Sequence, residues 1–195
     1  MIEVMVTLVV IAITAALAAP AIMDMTPGMA LKAATRDLYA KLQDAKMRAI
    51  KENSSVRVRF NGSHYCIDLD NNGNCTNTSA DTFTDTNGDG VYTEGEPYND
   101  VDGNEIFSGD IAINLNDYGY GIDLVDPARC SNWDNNPCNS AGVLTFNSQG
   151  TSNSGSIYIE NENRDSCYAV TVRTAGSLVT RRNTGASPYE SGNWQ

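Results

Sequence analysis

The sequence predicts an α+β fold. One long N-terminal helix, kinked near Pro20–Gly28, packs on a C-terminal antiparallel β-rich head. Three observations predict it. After Glu3 the chain carries no charge until Asp24, and the run Val4 to Met23 spans roughly 30 Å as a helix. From Met29 to Glu52, Leu31, Ala34, Leu38, Leu42, Ala45 and Ala49 recur at helical spacing with charges between them. From Val56 onward, short alternating segments are separated by turn residues. At 195 residues this amounts to one domain plus a helix. The helix takes 1–53, with 1–23 the apolar part and 29–53 the part facing the head. The head takes 54–195 and carries an acidic insertion over 70–105.

The helix comes first. Pro20 lacks an N–H and weakens the ladder around it, and Pro27 disfavours helix at Thr26. Local melting or a kink is expected between Ala18 and Gly28. The stripe from Leu31 to Ala49 is a face for the chain's own head, and Asn53-Ser54-Ser55 ends the helix.

The strands follow. Val56 to Phe60 alternates, Asn61-Gly62 signals a hairpin turn, and His64 to Leu69 returns. The insertion has little apolar content and is read as irregular. Ile106 to Leu115 and Tyr118 to Val125 are read as strands. Asp126 to Ser140 is read as a loop held by Cys130–Cys138. Val143 to Phe146 and Ser156 to Ile159 come next. Cys167 to Val172 and Leu178 to Arg181 then close the chain as a hairpin around Ala175-Gly176.

Charge is unevenly placed. The net charge is −11, yet from Asn53 onward seven Lys/Arg face nineteen Asp/Glu, so the acid sits in the head. An acidic head opposes a phosphate backbone as partner and favours cations or solubility. Five cysteines behind an export-type N-terminus read as disulfide chemistry. Cys66 with Cys75, and Cys130 with Cys138, are near enough in sequence to close small loops. Cys167 is then left over, and a bridge from it to Cys66 or Cys75 stays open. The absence of CxxC argues against a redox motif or a zinc site.

One loop carries ligand spacing. Asp85-x-Asn87-x-Asp89-Gly90-Val91-x-Thr93-x-x-Glu96 fits the twelve-residue calcium pattern. Side-chain oxygens at Asp85, Asn87, Asp89 and Thr93 and the Val91 carbonyl would converge on one Ca2+. Gly90 permits the turn, and Glu96 closes the shell. No helices flank it, so the expectation is a loop of EF-hand type alone. Asp68-x-Asp70-x-Asn72-Gly73 repeats only the first half, with Ser79 where the closing acid belongs.

An ordinary signal peptide or anchor accounts for the apolar run but not for Glu3, an acid at its start. Ile2-Glu3-Val4-Met5-Val6, with Pro20 seventeen residues after the glutamate, resembles the N-terminal helix of type IV pilins and type II secretion pseudopilins. The resemblance implies that Glu3 pairs with the terminal amine of a neighbouring subunit in a helical filament; a carboxylate among packed helices needs such a cation. It implies two more residues ahead of Met1 and, before them, a short basic leader ending in Gly that a prepilin peptidase removes. No residue here is therefore assigned to cleavage or methylation. The head's layout, with Leu144-Thr145-Phe146, then Gly150, then a final hairpin turning at glycine, resembles pseudopilin H and the FimT-like minor pilins. That family's head is a β-sandwich of two antiparallel sheets packed on the helix, and the alternating strands support it independently.

These readings converge on a non-enzymatic subunit of a pilus-like or secretion filament. Its expected partners are its own copies, other pilins or pseudopilins, and prepilin peptidase. It is expected in the inner membrane before assembly and in an extracellular or periplasmic filament after it. A low-copy pseudopilin that primes or caps a secretion pseudopilus is the first alternative. A DNA-binding minor pilin using Arg181-Arg182 is the second, and the acidic head opposes it. His64 is the only histidine, no serine has a histidine partner at a recognisable spacing, and no phosphate loop occurs. The aromatics read as sheet packing. Asn53, Asn61, Asn74 and Asn77 lie in glycosylation sequons.

Overall fold

The computed structural model describes residues 2–68, 82–86, 88, 92–93, 95–99 and 111–195; of these, the side chains of 2, 13–25, 93, 111 and 112 are outside the description. The helix α1 runs Ile2–Lys51, 50 residues and about 75 Å. It is continuous, so the local melting expected between Ala18 and Gly28 does not occur. Pro20 and Pro27 each remove one donor, and they stand seven residues apart, on one side of the helix. The ladder on the other sides carries the backbone past them. The helix stops as expected at Asn53, whose φ of 49° is left-handed. The amide of Ser54 donates to the Ala49 carbonyl at 3.1 Å and that of Asn53 to Ile50 at 3.4 Å, closing a Schellman cap.

The strands are β1 (Val56–Asn61), β2 (His64–Asp68), β3 (Thr82–Phe83), β4 (Tyr92–Thr93), β5 (Tyr98–Asn99), β6 (Ile111–Asn114), β7 (Asp123–Leu124), β8 (Val143–Phe146), β9 (Gly155–Glu160), β10 (Cys167–Val172) and β11 (Leu178–Asn183). Among the described residues they form sheets ordered β4-β6-β2-β1-β8, β11-β10-β9-β7 and β3-β5. All neighbours are antiparallel except β4 with β6. The β1–β2 hairpin pairs Asn61 with His64, so Gly62 and Ser63 make the turn, with Gly62 at φ 57°.

Both larger sheets pack on one face of α1. The alternation in β1 puts Val56, Val58 and Phe60 inward. Leu144, Phe146, Ile157, Ile159, Val170 and Val172 join them, and Leu31, Ala34, Leu38, Leu42, Ala45 and Ala49 meet all of these in one core. The six helix residues are those the periodicity selected.

Two readings change. Tyr118 to Val125 is not a strand. Leu115–Tyr118 is a 3-10 turn, and Gly119, Tyr120 and Gly121 all have positive φ, leaving only Asp123–Leu124 to pair. The Gly-Tyr-Gly run supplies the left-handed turns that end pairing. The insertion is also less irregular than its polarity implies. Tyr92 is buried, Phe83 and Tyr98 pack beside it on the main core, and both rings meet Tyr92 edge-on at 5.8 Å.

Candidate functional site

The described N-terminal part of α1 exposes its apolar side chains. Val4, Met5, Val6, Leu8, Val9, Val10 and Ile11 are each 55–69% exposed. Apolar residues on all sides of a helix belong in a lipid bilayer or among other helices. Fully burying one such side chain is worth about 1.5–3 kcal/mol, so these seven offer on the order of 10 kcal/mol before ordering costs. Among the described residues, no helix is long and apolar enough to cross a membrane. Much of the apolar run, 13–25, has side chains outside the description.

Glu3 lies in the first turn and is exposed. There a carboxylate complements the free N–H groups and the positive end of the helix dipole. It sits directly before the seven exposed apolar residues. Pro20 lies within α1, and its side chain is outside the described residues.

The other half of α1 is fixed to the head at named points. Lys46 Nζ donates to the Gly176 carbonyl at 3.0 Å. Gly176 (φ 71°) approaches so near that a Cβ there would stand 1.8 Å from the Gly150 carbonyl oxygen. Gly150 (φ 74°) is itself covered by Ile50. The end of α1, the loop after β8 and the closing hairpin therefore meet with no room for a side chain. Midway along α1, Tyr118 donates a short hydrogen bond to Asp37.

The calcium-type loop is only partly described. Asp85 is exposed, and its Oδ1 accepts from the Gly88 amide at 2.5 Å. Glu96 is 7% exposed, and its Oε1 accepts from the Thr86 amide at 2.8 Å and the Thr86 hydroxyl at 2.9 Å. The last ligand position is thus tied to Thr86, the residue after the first. Asn87, Asp89 and Val91 lie outside the described residues, as does the side chain of Thr93. Among the described residues no group of three or more His, Cys, Asp or Glu is placed to hold a metal.

A family model described as "Type II transport protein GspH" matches residues 34–176. The chain belongs to the GspH family. The match runs from the packed half of α1 to the turn of the closing hairpin. No curated protein and no solved structure matches the chain. As a GspH pseudopilin it is a structural component and not an enzyme, and the family implies assembly with other pseudopilins in a cell-envelope secretion machinery.

The pseudopilin head holds features that sequence reading missed. Cys130–Cys138 is a disulfide, as expected. Cys66 is also disulfide-bonded, while Cys75 lies outside the described residues. Cys167 is a free, buried thiol, so neither bridge left open for it forms. Burial, then the nearby Glu160, push that thiol well above its ordinary range. Cys167, the disulfide, Tyr158 and Tyr189 form a second core on the outer face of the β9–β10 sheet, covered by Trp133 and Trp194. Tyr189 donates to Glu160 at 2.9 Å, and Arg129 reaches the other Glu160 oxygen at 3.4 Å. Trp194 Nε1 donates to the Ser131 carbonyl at 2.8 Å. The run of four buried residues in β9, Ile157 to Glu160, fits a sheet covered on both faces. Arg181 lies 4.0 Å over the Trp133 ring and Arg182 5.8 Å from that of Tyr168. His64 is exposed at the start of β2, beside Ser63.

Proposed function

We propose that this chain is a building subunit of a type II secretion pseudopilus or pilus-like filament, inserted through its N-terminal helix. The observation that carries the reading is the exposed, all-round apolar helix after Glu3, on a molecule whose head has already closed its own core. Before assembly the apolar stretch sits in the inner membrane. In the filament it packs against neighbouring helices, and Glu3 is neutralised by the amine of an adjacent subunit. The finished filament stands in the periplasm or outside the cell.

The test is Glu3→Ala in the producing cells. Incorporation into sheared filaments should fall to background while the head stays folded by circular dichroism. Normal filament yield would sink the reading. Membership of the GspH family favours a second reading, a low-copy pseudopilin that primes or caps a pseudopilus. Copy number in sheared material separates the two: a dominant chain supports the building role, and trace amounts support the second.

A bound calcium ion in the Asp85–Glu96 loop belongs to the same proposal. Its support is the spacing of Asp85, Asn87, Asp89, Val91, Thr93 and Glu96, with Glu96 drawn back onto Thr86. An ion there would tie the two ends of the Asp85–Glu96 loop together and so help keep Phe83, Tyr92 and Tyr98 on the core.

A further inference from the structure

The closing strand β11 is the last strand of its sheet, and among the described residues half its outer edge is open. The tail pairs with the other half. Arg182 and Gln195 exchange both backbone hydrogen bonds, at 2.9 and 2.8 Å, and the Thr184 amide donates to Asn193. Residues two apart along a strand turn their backbone groups the same way. The N–H and C=O of Leu178 and Thr180 therefore face outward as those of Arg182 do. Among the described residues no strand covers them.

Beside this open edge runs a cleft between β11 and α1. Arg36, Tyr39, Leu178 and Thr180 line one part, of about 380 Å³. Gly28, Met29, Lys32, Tyr168, Arg182, Asp165 and Ser166 line the next, of about 450 Å³. Lys32, Arg36 and Arg182 make this rim basic on a chain of net charge −11. Lys32 and Arg36 are exposed and form no ion pair with a described carboxylate. The one acid of the rim, Asp165, already accepts from Asn161 and Ser166. Leu178, Thr180 and Arg182 present their side chains to this cleft. A strand added to β11 would set every second side chain over it, beside Arg36 and Lys32.

We propose that the Leu178–Thr180 edge binds an extended segment of a different protein, which adds a strand to β11 and sets acidic side chains at alternate positions over Lys32 and Arg36. Backbone pairing supplies the affinity, and the basic rim selects acid over base. The Met29 side chain, 65% exposed, gives the segment an apolar footing at the cleft's far end. This surface uses α1 only from Gly28 onward, beyond the exposed apolar residues Val4 to Ile11, so it goes beyond the filament reading and stands or falls separately from it.

The test uses the full chain in detergent micelles and a short synthetic peptide of alternating valine and glutamate. Amide hydrogen exchange at Leu178 and Thr180 should slow on adding it, and not on adding a valine–lysine peptide. Lys32→Glu with Arg36→Glu, at exposed positions, should weaken binding about tenfold or more. Thr180→Pro should abolish it by removing an outward N–H, with an unchanged melting temperature showing that the edge tolerates proline. Unchanged exchange with the glutamate peptide overturns the proposal, as does equal slowing by the lysine peptide. Self-association through this edge, or duplex DNA that binds there in competition with the peptide, overturns it in favour of those occupants.

Discussion

Gly176 shows how much one missing Cβ decides. Its φ of 71° suits glycine, and the Gly150 carbonyl occupies the place a methyl group would need. Gly176→Ala should destabilise the head by about 2 kcal/mol or more, a fall of roughly 4–8 °C in melting temperature. An unchanged melting temperature would mean that the hairpin and the Gly150 loop separate freely. Three tyrosines set an alkaline limit. Burial raises Tyr65, Tyr118 and Tyr189 above the ordinary phenol value, helped by Asp37 for the first two and Glu160 for the third. The fold holds their neutral form. The stability they contribute is whole below the ordinary value of 10.0 and is lost as pH rises beyond it. In an alkaline titration these phenols should ionise only with loss of the helical signal. Titration of Tyr65, Tyr118 and Tyr189 near 10 on an intact fold would refute this.

At the scale of elements, sequence reading succeeded where a period or a local cap decided the outcome. The stripe from Leu31 to Ala49, the Asn53 stop and the β10–β11 hairpin were all legible. It failed where local preference met a longer-range contact. The insertion reads as polar, yet three aromatics spread over sixteen residues, Phe83 to Tyr98, converge on one core. Tyr189 and Trp194 belong with Ser131 and Glu160, far away in sequence, and no local pattern announces that. Pro20 and Pro27 argued for a break, but a helix of this length absorbs two lost donors. Within the candidate site Glu3 stood out because an acid opening an apolar run is anomalous, and the structure places it exposed in the first turn of α1. The calcium spacing stood out as well, but its middle positions lie outside the described residues. If an ion holds that loop, chelator should lower the melting temperature of the full chain in detergent, and added Ca2+ should restore it. Identical curves with and without chelator would remove the ion from the account.

The described residues form a closed head on the half of α1 from Pro27 to Lys51, with the apolar residues of Val4 to Ile11 exposed on the other half. Among the described side chains burial begins at Pro27, and the core begins at Leu31. Removing residues 1–25 should therefore give a protein that is soluble without detergent and melts at the temperature of the full chain. A lower melting temperature would show that the apolar stretch also folds back to support the head.

The route by which α1 enters the head has a mechanical meaning. Its C-terminal end passes directly into β1, which lies between β2 and β8 inside the larger sheet. Tension arriving along the helix meets the packed stripe Leu31 to Ala49 and the Lys46–Gly176 bond before it reaches β1. A subunit held by its first residues and pulled by its head would thus share the load between the helix–head core and a strand bonded on both sides.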